Sequence, residues 1–62
     1  MVCMEIKKGS LEVAVEYFDA MWQAKQQAIR LAGYAGWLRF IQDADGDITA
    51  SNDTFKVDIT RL

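Results

Sequence analysis

Asp43, Asp45 and Asp47 stand at alternate positions around Gly46, and carboxylates so placed could do calcium chemistry. A calcium loop of the EF-hand kind needs oxygen ligands at its first, third and fifth positions, glycine at the sixth and glutamate at the twelfth. Counted from Asp43, the glycine falls at the fourth position and Thr54 stands at the twelfth. The cluster therefore reads as an Asx-rich hairpin turn, in which aspartates accept from nearby backbone N–H groups. Catalysis has less to stand on. The chain has no histidine to serve as a base near neutrality. Its one cysteine, Cys3, has no basic neighbour that the spacing fixes, so nothing marks it as a nucleophile. Glu12 and Glu16 make a carboxylate pair, but on a solvated strand face, and no glycine-rich phosphate loop is present. No enzyme, no cofactor and no metal site are expected.

Two groups of residues could bind rather than react. Phe18 falls at the strand–helix junction, and Trp22 and Ile29 stand one heptad apart at the edge of the helix's apolar arc, with Lys25 between them and the alanine row. Phe18, Trp22, Lys25 and Ile29 are the candidate partner-binding residues, as an apolar patch holding one charge. The competing reading is that Lys25 snorkels and the aromatic residues complete the core. Lys7, Arg39 and Lys56 form the second group. Gathered on an open sheet face, they could grip phosphate or an acidic groove. Around them the signs are mixed, which also fits ordinary cross-strand pairing on a wet surface.

The elements that must place these residues follow from periodicity. Val2 to Lys7 alternates as a first strand, Lys8-Gly9-Ser10 turns, and Leu11 to Tyr17 returns as its hairpin partner. Leu11, Val13, Val15 and Tyr17 are expected to face the core. After Asp19 the apolar spacing becomes three and four, predicting a helix from Ala20 to Ala32 with Asp19 as N-cap and Gly33 as the residue that ends it. Met21, Ala24, Ala28, Leu31 and Ala32 form its apolar face; Gln23, Gln26, Gln27 and Arg30 form its wet face. Trp37 to Gln42, Ile48 to Ala50 and Thr54 to Arg61 follow as strands, with Phe55, Val57 and Ile59 inward and Asp45-Gly46 as the strongest turn signal. The expected fold is α+β, ββαβββ, a mostly antiparallel sheet with one helix packed on one face. The open face would carry Cys3, Glu5, Lys7, Glu12, Ala14, Glu16, Lys56 and Asp58, joined by Arg39 if Leu38 and Phe40 point to the core. A single long helix from Leu11 to Ala32, capped by Ser10, is the rival reading. β-branched Val13 and Val15 and the strict alternation oppose it.

The 62 residues read as a single domain, residues 1–62. A chain of this length buries only about 60% of its unfolded surface, so good packing or a partner must stabilise it. Nine acidic and seven basic residues leave a net charge of −2, which disfavours broad nucleic-acid binding. No apolar run approaches a membrane span, and a start without an apolar leader together with a lone cysteine suggests a cytoplasmic location.

Trp22-Gln23-Ala24-Lys25 and Gly36-Trp37-Leu38-Arg39-Phe40, set in this order of elements, resemble small phage or mobile-element accessory proteins, among them the compact anti-CRISPR proteins. The resemblance lies in layout, contains no diagnostic motif and assigns no residue roles. It implies a non-catalytic inhibitor that binds a bacterial defence (CRISPR-Cas) complex. The expected partner is thus another protein or protein complex. A homo-oligomeric accessory protein is the first alternative, with a homodimer as its simplest form. A weak nucleic-acid binder acting through Lys7, Arg39 and Lys56 is the second.

Overall fold

The change of hydrophobic period at Asp19 is where strand gives way to helix. A computed structural model describes residues 1–62. The elements are β1 (Val2–Lys8), β2 (Leu11–Phe18), α1 (Met21–Ala32), a 3-10 turn (Gly33–Ala35), β3 (Arg39–Gln42), β4 (Ile48–Ser51) and β5 (Lys56–Arg61). The strand–helix division excludes the single long helix. All strand pairs are antiparallel, in the order β2-β1-β5-β4-β3. The expected α+β arrangement, ββαβββ with one helix on one face of the sheet, is what the chain adopts.

The centre of the sheet supplies most of the core. Met4, Ile6, Val57 and Ile59 on β1 and β5 are fully buried, and Phe55 is buried just before β5 begins. Above them lie Ala24, Ala28 and Ala32, spaced four residues apart along α1 and also fully buried. Their small side chains let the helix sit close over β1, β2 and β5. Leu31, expected on this face, is 37% exposed, so the buried stripe is narrower than the sequence pattern suggests.

The two faces of β2 are the reverse of the expectation. The register pairs Val2 with Phe18, Met4 with Glu16 and Ile6 with Ala14. Residues directly opposite in an antiparallel pair point to the same side, so Phe18, Glu16 and Ala14 lie on the helix side. Ala14 and Phe18 pack against the core, and Gln27 on α1 donates to the Glu16 carboxylate at 3.3 Å. Leu11, Val13, Val15 and Tyr17 are instead exposed, by 66%, 48%, 41% and 61%. Ala14 and Glu16 therefore do not belong to the open face, and Phe18 belongs to the core side. A period of two separates the faces of a strand without saying which one is covered. Here the parity is set by Phe18, whose ring packs against the core. A bulge then leaves Val13 without a β1 partner, because Ile6 pairs with Ala14 while Lys7 pairs with Glu12.

The helix ends at Ala32 with Gly33 beside it, as expected, but the capping at both ends differs from expectation. Ala20, not Asp19, is the N-cap residue, with extended backbone at φ −131° and ψ 150°. Alanine has no side-chain acceptor, so only the reciprocal half of a capping box forms: the Ala20 N–H donates to Gln23 Oε1 at 3.0 Å. Ala20→Ser would add the missing acceptor. It is expected to stabilise the protein by about 1 kcal/mol, read as a rise in the urea midpoint. At the other end Gly33 is helical, with φ −69°, and the chain continues into the 3-10 turn. Gly36, at φ +143°, ends it. β3 and β5 begin two residues later than predicted, leaving Trp37 and Thr54 outside the strands.

Candidate functional site

Because α1 lies over β1, β2 and β5, it leaves a cleft between its own flank and the start of β3. Ile29, Gly33, Trp37 and Leu38 line this cleft, which has a volume of about 200 Å³. Ile29 comes from the last turns of α1, Gly33 from the 3-10 turn, and Trp37 and Leu38 from the lead into β3. A Cβ on Gly33 would stand 3.4 Å from Ile29 Cγ2, so a side chain there would take up part of the space. Trp37 is 95% exposed and Ile29 is 52% exposed, so the rim of the cleft is apolar and solvated.

Asn52, in the turn between β4 and β5, positions the Trp37 segment. Its Nδ2 donates to the carbonyls of Ala32 at 2.9 Å and Gly36 at 3.0 Å. Its Oδ1 accepts from the backbone N–H groups of Thr54 and Phe55 at 2.9 and 2.7 Å. One side chain thus ties the end of α1 and the start of the β3 approach to the β4–β5 turn. Tyr34 adds an edge-on contact to Phe55, with ring centroids 5.8 Å apart. An asparagine in a turn is ordinary, and nothing in the sequence marks its bonds to residues twenty and sixteen positions away.

The predicted partner-binding residues divide. Ile29 stands in the cleft wall, and Trp22, 60% exposed, lies one heptad earlier on the same helix face. Lys25 is half-buried, its Nζ 5.3 Å from the centroid of the Phe40 ring, a cation–π contact that accounts for a charge beside the core. Phe18 is half-buried and packs against the core on the helix side of the sheet. Trp37 and Leu38 are cleft residues, although the sequence pattern predicts them in a strand. The signal that could have singled them out is the apolar pair following Gly36 directly.

On the opposite face of the sheet, the registers set Glu12, Lys7, Lys56, Ser51 and Arg39 in one row. Lys7, Lys56 and Arg39 are thus brought together, with Lys7 directly opposite Lys56. The neighbouring row holds Val15, Glu5, Asp58, Thr49 and Ile41. Lys7 Nζ lies 3.5 Å from Glu5 Oε1. The Glu12 pKa is raised, first by a hydrogen bond to Glu5 that only a protonated carboxyl donates, then by desolvation and by the Glu5 charge; Lys7 pulls it down. A carboxyl whose pKa is raised on folding adds stability below that pKa and loses it as pH rises through it. Glu12→Gln is therefore expected to raise the thermal midpoint slightly near neutral pH and to give no gain below the carboxylate range, as read by thermal unfolding at both.

The aspartate cluster serves backbone N–H groups of its own turn and of β5. Asp43 Oδ1 accepts from the N–H groups of Asp45 and Asp47, each at 3.0 Å, and Asp47 Oδ1 accepts from the Arg61 N–H at 3.0 Å. This is the Asx-rich hairpin turn expected at Asp45-Gly46, with Gly46 at φ +88°. No protein-family description, curated protein or solved structure matches the chain.

Proposed function

We propose that this chain is a small non-catalytic protein-binding module, and that its partner seats an apolar side chain in the cleft between α1 and β3. The observation that carries this reading is Trp37, almost wholly exposed beside Ile29 at the rim of an apolar cleft. Tryptophan at such a rim is the residue type that most often dominates binding energy when a partner covers it. Trp22 and Lys25 extend the same helix face. Within this class, the layout resemblance favours inhibition of a bacterial defence complex.

A pull-down from a bacterial lysate, compared across baits, tests the reading. The wild-type chain is expected to retain a stoichiometric protein partner that Trp37→Ala and Ile29→Arg both lose while remaining folded. Equal capture by all three baits, or no stoichiometric partner, removes the proposal. The row of Lys7, Lys56 and Arg39 supports a second reading, weak nucleic-acid binding. It requires affinity for DNA or RNA that falls steeply with salt. Glu12 in that row, with Glu5 and Asp58 in the next, weighs against it.

A further inference from the structure

The two edges of the sheet are unlike. β3 is four residues long, opens with Arg39 and runs into the acidic turn at Asp43. Short length and charge are the usual ways of keeping an edge from pairing with another chain. β2 is eight residues long and has no neighbour on its outer side. On the open face it presents Val13, Val15 and Tyr17, all exposed. Its outer N–H and C=O groups are available to extend the ladder.

We infer that β2 pairs antiparallel with β2 of a second copy, about a two-fold axis through Val15, to form one continuous sheet across two chains. The side-chain pattern of β2 selects this register. A two-fold axis perpendicular to the sheet keeps each residue on its own face, so it must pass through a residue, pairing positions equally spaced on either side. Through Val15, the axis sets Val15 beside its own copy and Val13 beside Tyr17 on the open face. On the helix face it sets Glu16 beside the small Ala14. A β-branched residue beside an aromatic one is a favourable cross-strand pair. An axis through Glu16 would instead place two carboxylates directly opposite each other, which is destabilising. An axis through Ala14 would put the Val13 bulge next to the centre of the new ladder, where the irregular spacing breaks it. Only the Val15 axis keeps the Val13 bulge at the end of the new ladder and opposes no like charges between Val13 and Tyr17. Its occupant is a second copy because the pattern is complementary to itself. A five-residue strand pair is a small interface, so the association is expected in the micromolar range.

Sedimentation equilibrium over a concentration series is the first test. The wild-type chain is expected to pass from monomer to dimer, and Val15→Lys, which sets two ammonium groups together at the axis, is expected to weaken association by about a hundredfold. Cross-linking is the second test and locates the edge. Residues at such an axis have Cα atoms about 4.5–5.5 Å apart, within reach of a disulfide. With Cys3→Ser in both, Val15→Cys is expected to oxidise to a covalent dimer. Ile41→Cys, exposed on the opposite edge strand, is not. A wild-type chain that stays monomeric at millimolar concentration overturns the inference. So does a Val15→Lys variant that dimerises like wild type, or an Ile41→Cys variant that cross-links as readily as Val15→Cys. None of these readouts depends on the α1–β3 cleft.

Discussion

Asn52→Ala is expected to lower the unfolding free energy by about 2–4 kcal/mol, since the side chain makes several hydrogen bonds, each with a net contribution of roughly 0.5–1.5 kcal/mol. The change removes two donors to the Ala32 and Gly36 carbonyls and one acceptor serving the Thr54 and Phe55 N–H groups. A chain of this length has a total stability on the order of 3–9 kcal/mol, so the variant should lose a large share of it and unfold at a clearly lower urea concentration. Urea unfolding followed by tryptophan fluorescence measures the change. Asn52→Asp separates the two halves of the role, because it keeps the acceptor and loses both donors; it should fall between wild type and Asn52→Ala. A loss below about 0.5 kcal/mol for the alanine variant would mean that water replaces these bonds at no cost, and that the Trp37 segment is held by other contacts.

Ala28→Leu is expected to cost about 3 kcal/mol, at the upper end of the usual range for overpacking. Ala28 is fully buried at the middle of the alanine row, with Ala24 and Ala32 fully buried on either side. Extra methylene and methyl groups there must lift the helix from Met4, Ile6, Val57 and Ile59 or force strained rotamers. The control is Gln26→Leu, an exposed position on the same helix with the same new side chain. Thermal unfolding of the two variants should differ by many degrees. Similar midpoints would show that the helix does not sit as close to the sheet as its alanines allow. Lifting α1 would also move Ile29 away from Leu38, so any partner that uses the cleft should lose affinity in the same variant.

The division into strands and helix was readable because it rests on local regularities. The alternation before Asp19 and the three-and-four spacing after it require no knowledge of distant residues. The Asp45-Gly46 turn was readable for the same reason, since Asp43 bonds within its own loop. The inward set Phe55, Val57 and Ile59 also emerged, because polar Lys56, Asp58 and Thr60 contrast clearly with it. β2 lacked that contrast. One of its faces holds Val13, Val15 and Tyr17 and the other holds Ala14, Glu16 and Phe18, so apolar and polar residues occur on both. Hydrophobicity alone chose the wrong face. The pairing of Phe18 with Val2 decides it, and that is a contact between residues far apart in the chain.

The candidate site was half legible. Trp22 and Ile29 stood out because the helix period left them at the edge of the apolar arc. Trp37 and Leu38 did not, because a strand assignment absorbed them. Asn52 was invisible as an anchor, since its two donor bonds cross the molecule.

What the sequence by itself determined is the class of fold and the order of its elements, together with a lack of histidine and of paired cysteines. These are properties of composition and of short windows, where backbone geometry imposes periods of two and 3.6. The tertiary structure alone decided which face of β2 is covered, where α1 lies across the sheet, and that Ile29 meets Trp37 and Leu38 at one cleft. It also placed Lys7, Lys56 and Arg39 in one row. Each of these depends on strand order and register, which are set by the summed packing of residues distant in the chain. No local window contains that information.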